Sequence, residues 1–264
     1  MSRAPLAFVS HGAPTVALEN DAYHAALRAF GASAPAPRAI AVVSAHWLTH
    51  GAVAVTGARR HRVIHDFAGL PAELYRLDYA APGDPALAEE AVRLLAAAGL
   101  PAGVDPDRGL DHGAWVPLRI AWPAAIVPVV QLSLPADEEP AALHSLGRAL
   151  APLRERGVLI LGSGGLVHNL GQLRWGEKDR APDPWAAAFD AWMAARLAAG
   201  DVEALLRYRE RAPHAVRAAP TTEHLDPLFV ALGAAAPAER AATIFEGFRY
   251  GSLGMRSIEL REAA

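Results

Sequence analysis

Apolar residues fall along this chain in short runs set off by glycine and proline. Residues 4–10, 38–45, 51–56, 127–134 and 157–162 are rich in Val, Ile and Leu without strict alternation. That pattern predicts strands buried on both faces, as in a sheet with helices above and below. Segments 242–249 and 252–260 are candidates for edge strands. Helical candidates lie between the strands at 21–31, 84–98, 138–155, 183–199, 201–210 and 222–232. The second has the punctuation of a helix: Asp84 before it, Pro85 at its first position and Gly99 after its end. Strands alternating with helices predict an α/β fold in one domain, residues 1–264, with a central mixed sheet flanked by helices.

Two of the strand candidates end alike. "FVSHGAPT" (8–15) and "VVSAHWLT" (42–49) each carry an apolar run into a histidine, His11 and His46. In open α/β sheets, ligands bind beyond the strand ends. One histidine there is readily a hydrogen-bonded polar residue; two in matched contexts point to a metal ion. "LILGSGGLVHNL" (159–170) adds a glycine-rich turn and His168. "TTEHLDPLFVALG" (221–233) places Glu223 and His224 in the first turn of a candidate helix. "GLDHGAWVPL" (109–118) puts Asp111 and His112 in a loop, where Asp111 could orient the imidazole. In "HRVIHDF" (61–67) the H-x-x-x-H spacing has no helical pattern to support it, although His65 and Asp66 could line a pocket mouth. His24, His50, His144 and His214 read as surface or cap residues.

Composition narrows the chemistry. The chain has no cysteine, which excludes disulfides, thiolate metal sites and thiol nucleophiles. No phosphate-binding glycine motif and no G-x-S-x-G elbow occurs, so Ser163 does not read as a nucleophile. A formal net charge of -3 offers no electrostatic footprint for nucleic acid or a membrane surface. No apolar run approaches the ~20 residues of a membrane span, and the first residues lack the apolar core of a signal peptide. A cytoplasmic protein, monomeric or a small homo-oligomer, is the expectation.

Taken in order, "FVSHGAPT", "VVSAHW", "IHDFAGLPAELYRLDYAAPGDP", "GLDHGAWVPL", "VPVVQLSL", "LGSGGLVHNL", "APHAVRAAPTTEHLDPLFVALG" and "GFRYGSLGMRS" resemble the 4,5-DOPA extradiol dioxygenases of the class III, LigB-type ring-cleaving group, over roughly residues 5 to 257. The resemblance implies a LigB-like fold and opening of a catechol ring by O2 at one divalent metal ion. It implies His11, His46 and His224 as ligands and His168 as catalytic acid/base. It also implies a role for His112 beside the substrate. Other class III enzymes use a glutamate as third ligand, and Glu223 adjoins His224. Neighbours on a helix point ~100° apart, so one of the two faces the metal, and His224 is the choice. Three neutral imidazoles also suit Zn(II), so zinc is expected in isolated protein and Fe(II) for turnover. Phe67, Trp115 and Tyr250 are candidates for aromatic pocket walls, or equally for core.

Two rival readings stay open at this point. A zinc hydrolase could use Glu223 or Asp66 as general base. A non-enzymatic binding protein, as the Memo proteins are on the same fold, could keep the imidazoles for structure alone.

Overall fold

The chain is described by a computed structural model covering residues 3–33, 36–136 and 138–262. Its strands are β1 (Leu6–Ser10), β2 (Ala39–Thr49), β3 (Val53–Thr56), β4 (Ala102–Asp105), β5 (Val129–Pro135), β6 (Val158–Gly164), β7 (Glu239–Phe245), β8 (Phe248–Arg249), β9 (Leu253–Gly254) and β10 (Ser257–Glu262). Its α-helices are α1 (Ala22–Ala32), α2 (Pro85–Ala97), α3 (His112–Ala121), α4 (Pro140–Leu150), α5 (Pro184–Ala199), α6 (Val202–Leu206), α7 (Tyr208–Arg211), α8 (Ala215–Ala218) and α9 (Asp226–Ala234). Eight strands form one mixed sheet in the order β4-β3-β5-β2-β6-β1-β10-β7, and β8 and β9 pair separately.

The central strands β5, β2, β6 and β1 are mutually parallel. Their continuous apolar character follows from burial on both faces. Within β1, Leu6 and Phe8 join one core with α2, α4, α5 and α9, while Ala7 and Val9 join the other with α1 and α3. This is the period-2 alternation of a strand serving two helical layers. Of the outer strands, β10 runs antiparallel to β1, and β7 runs antiparallel to β10. The fold is therefore the expected α/β domain with a large mixed sheet between helices.

Local signals account for most helix ends. The Asp84 carboxylate accepts from the Leu87 N–H at 3.0 Å, and Pro85 occupies the first helical position of α2. Asp21 caps α1 by accepting from the Tyr23 and His24 N–H groups. Three expectations need correction. Residues 109–121 are not a loop up to Trp115: Asp111 caps α3, which begins at His112 and carries Pro117 within it. The candidate helix 138–155 ends as α helix at Leu150 and tightens into a 3-10 segment, Ala151–Arg156. The candidate 201–210 breaks at Arg207 into α6 and α7. The edge strand β4, with Gly103 and half of its residues exposed, has no apolar run to announce it.

Candidate metal centre

The site lies at the C-terminal ends of the parallel strands. His11 follows β1 directly, and Gly12 then takes φ +65°, a left-handed turn that glycine adopts without strain. His46 does not end its strand, as the sequence suggested, since β2 runs on to Thr49. The pairing of β2 with β5 is interrupted between Val43 and Leu48, however, and its pairing with β6 stops at Ser44. His46 sits in that irregular stretch. β1 and β2 are not neighbours; β6 separates them. His168 follows β6. His224 lies in a turn just before α9, not in its first helical turn. Gly164 makes room for that turn: a Cβ there would stand 2.0 Å from the His224 carbonyl oxygen.

Four separate segments thus bring four imidazoles of the sequence reading, His11, His46, His168 and His224, together with a fifth, His112, at the start of α3. The Nε2 atoms of His46 and His11 are 3.1 Å apart, and those of His224 and His46 3.2 Å. Nitrogens held about 2.1 Å from a single ion have separations of this size. The tautomers are set from outside. Ser163 Oγ donates to the Gly113 carbonyl at 2.5 Å, so it accepts from His11 Nδ1–H at 3.0 Å. The Glu223 carboxylate accepts from His224 Nδ1–H at 2.9 Å. Both rings therefore turn an unprotonated Nε2 inward. With His46 Nε2 within 3.2 Å of each, these two lone pairs and the third imidazole nitrogen could hold a cation.

His168 lies flat on His224, with ring centroids 3.4 Å apart and planes 8° from parallel. Among the described residues its ring nitrogens make no hydrogen bond, and it lines the cleft above the centre. His112 packs 3.9 Å, centroid to centroid, from His46. The Asp66 carboxylate accepts from the His112 backbone N–H and from its Nδ1–H, each at 2.9 Å. Asp66, not the adjacent Asp111, therefore orients His112. Asp111 is fully buried beneath the site, accepting from Ser44 Oγ at 2.7 Å and from Gln131 Nε2.

Electrostatics keep His11, His46, His168 and His224 neutral. Burial, then the neighbouring rings, pushes His11 well below the usual histidine range and His46 down to about 2. Burial and His224 bring His168 to about 3. His224 is also lowered, chiefly by burial, with Glu223 opposing. Burial raises Glu223, but its hydrogen bond to His224 and other contacts outweigh this and hold it at about 2. Neutral imidazole is the ligating form, and the paired carboxylates remain anionic.

The other histidines lie elsewhere. His61 Nε2 donates to the Val129 carbonyl at 2.8 Å, and His65 Nε2 to that of Leu77 at 3.2 Å, so the H-x-x-x-H pair forms no centre. Of the two readings for His24, surface or cap, the cap holds: it is buried, and its side chain completes the capping box of α1 with Asp21. Of the aromatic candidates, Phe67 and Tyr250 line the cleft, whereas Trp115 is wholly buried in the core. Sequence reasoning dismissed Ser163 as a nucleophile and missed it as the partner of His11. It also passed over Leu170 and Trp175, exposed apolar residues at the cleft.

This edge of the sheet, with imidazoles converging under an open cleft, is a candidate metal centre. The family described as "Catalytic LigB subunit of aromatic ring-opening dioxygenase" matches residues 5–255, and the chain belongs to that family. It is an extradiol ring-cleaving dioxygenase. It is 40% identical to the "4,5-DOPA dioxygenase extradiol" of Escherichia coli (strain K12), over 98% of this chain and 95% of that protein. Identity to the "4,5-DOPA dioxygenase extradiol" of Beta vulgaris is 39%, covering 95% and 94% of the two chains. Among solved structures, an uncharacterized protein from Escherichia coli K12 superposes with a TM-score of 0.84 at 35% identity, over 98% of this chain and all of that one. Among the described residues no helix is long and apolar enough to cross a membrane.

Proposed function

We propose that His11, His46 and His224 hold one divalent metal ion and that a catechol, DOPA being the example among the relatives' names, is opened there by O2. The observation that carries this reading is the convergence of three Nε2 atoms at 3.1 and 3.2 Å with two tautomers set from behind. Bound Fe(II) would polarise the catechol hydroxyls and exchange electrons with O2; Zn(II), which the same donors accept, lacks the second capacity.

The protein's own groups then have distinct tasks. His168 takes a proton from a catechol hydroxyl at its free ring nitrogen and returns it as the ring opens. A neutral imidazole with no competing hydrogen bond is ready to accept. Its stacking on His224 fixes the ring plane, so the proton is received in one orientation. His112 presents Nε2 while Asp66 holds Nδ1–H, which positions it to accept from substrate. The rival hydrolase reading loses support here, because Asp66 and Glu223 are both engaged with imidazole Nδ1 groups and neither is free as a base for water. Phe67 and Tyr250 supply apolar walls that exclude water.

The test is anaerobic loading with Fe(II), then exposure to DOPA and simple catechols in air. Oxygen uptake with a yellow ring-opened product that depends on Fe(II) is the expected result. No uptake across the catechol panel would overturn the reading.

A further inference from the structure

Around His46, β2 loses its regular pairing: with β6 after Ser44, and with β5 between Val43 and Leu48. Backbone groups freed from a ladder need other partners. The His46 N–H donates to Ser44 Oγ at 3.2 Å, and Arg108 donates to the His46 carbonyl at 3.4 Å. Ser44 passes its own hydrogen to Asp111 Oδ1 at 2.7 Å. A hydrogen-bonded arm thus runs from the backbone of His46 to a carboxylate 67 residues further along the chain.

That carboxylate is itself held fast. Oδ1 accepts from Ser44 and from the Ala114 N–H at 3.2 Å; Oδ2 accepts from Gln131 Nε2 and from Arg108 at 3.4 Å. A carboxylate has about four acceptor positions, so all are in use. Gln131 is anchored in turn, because its N–H donates to Thr56 Oγ1 at 2.8 Å and its Oε1 accepts from the Asp111 N–H at 3.3 Å. Asp111, Ser44 and Gln131 are wholly buried. A buried polar network with every member paired is rigid.

The second arm of Asp111 is its cap on α3, and the first turn of that helix carries other settings of the centre. His112 is its first residue. The Gly113 carbonyl takes the Ser163 hydrogen, which leaves Ser163 to accept from His11 Nδ1–H. A Cβ at Gly113 would collide with Ser44 Oγ and stand 3.0 Å from His46 Cδ2, so this turn lies directly against the His46 ring.

We propose that Asp111 is the positioning residue of the metal centre. Through Ser44 it holds His46, and through its cap it holds the turn that presents His112 and, by way of Gly113 and Ser163, orients His11. It acts through these groups and not on the ion itself. The proposal rests on the reading of His11, His46 and His224 as ligands of one ion.

Zn(II) affinity tests it, measured by competition with a chromogenic chelator at neutral pH on protein that circular dichroism shows to be folded. Ser44→Ala breaks the arm to His46 and leaves the α3 cap in place; it should weaken binding by about tenfold or more. Asp111→Asn keeps an oxygen for Ser44 and Ala114, so it should bind more tightly than Ser44→Ala. Asp111→Ala breaks both arms. It should bind more weakly than either, and its Fe(II)-loaded form should lose more kcat than its metal content explains, because His112 is released too. If Asp111→Ala does not fold, the other two variants decide. A purely structural role predicts a different result: a lower urea midpoint for the metal-free protein, with the affinity of the folded protein unchanged. That result in Ser44→Ala overturns the proposal. So does an Asp111→Asn as weak as Ser44→Ala, since the acceptor oxygen would then not be what Asp111 supplies. His46→Ala separates the two levels of the argument. If it binds Zn(II) as tightly as the unaltered chain, the three-histidine reading fails. If it loses the metal while Ser44→Ala keeps full affinity, only the role of Asp111 fails.

Discussion

Ser163 Oγ stands between His11 and the Gly113 carbonyl, 3.0 Å from Nδ1 and 2.5 Å from the oxygen. A hydroxyl has one hydrogen; given to Gly113, it leaves only lone pairs for the imidazole. The direction of one hydrogen bond thereby decides which nitrogen of His11 is free for a metal. Ser163→Ala should weaken metal binding by about 10–100-fold, the usual effect of losing a partner behind a ligating histidine. Competition with a chromogenic chelator measures it. An unchanged affinity would mean that the ring is oriented by packing alone.

The cluster contains rings with different duties, and substitution should separate them. His46→Ala removes the nitrogen that approaches both His11 and His224, so the protein should be isolated without stoichiometric metal. His168→Ala should keep its metal and lose turnover by about 10²–10⁴-fold, the typical worth of general acid–base catalysis. Elemental analysis beside an oxygen-uptake assay distinguishes the two. Metal loss in His168→Ala would make that residue a ligand instead.

Asp66 holds His112 at two points, the backbone N–H and the ring Nδ1–H. Asp66→Asn leaves one acceptor oxygen where two are used, so His112 can turn or change tautomer. We expect kcat to fall by about tenfold or more with metal content unchanged. A variant that loses its metal instead would show that Asp66 acts through His46, whose Nδ1 lies 3.6 Å from the same carboxylate.

His61 lies outside the centre and gives a stability test. Burial lowers its pKa below the ordinary 6.5, with the Val129 hydrogen bond opposing. The folded form therefore stays neutral at a pH where the unfolded chain takes up a proton. Below about pH 6.5 the unfolded state binds more protons, so stability falls as the pH falls. His61→Gln can keep the donor to Val129 but cannot titrate. Urea denaturation of metal-loaded protein from pH 7.5 to 5.5 should show the unaltered chain losing stability more steeply than the variant. Parallel curves would exclude His61 as a source of acid sensitivity.

Much of the architecture could be read from local pattern. Apolar runs such as Leu159–Leu161 can be buried only between layers, and Asp84, Pro85 and Gly99 mark α2 from both ends, because capping and left-handed turns depend on neighbours in the chain. α3 escaped notice because Pro117 and two glycyl and aromatic neighbours disguise its period, while its cap, Asp111, looked like a partner for His112. β4 escaped because an exposed edge needs no apolar run.

For the site, residue types and spacings singled out His11, His46, His112, His168 and His224, since imidazoles at strand ends and family motifs are properties of the string. Which nitrogen each presents is not. Glu223 turned from a rival ligand into the acceptor behind His224, Ser163 from a discarded nucleophile into the partner of His11, and Asp66 from a mouth residue into the anchor of His112. Each of those outcomes depends on groups 46 to 152 residues apart, or on the turn before α9, meeting within hydrogen-bond distance. Hydrogen bonding is short-ranged and directional, so these roles come into being only when the sheet has brought the strand ends together.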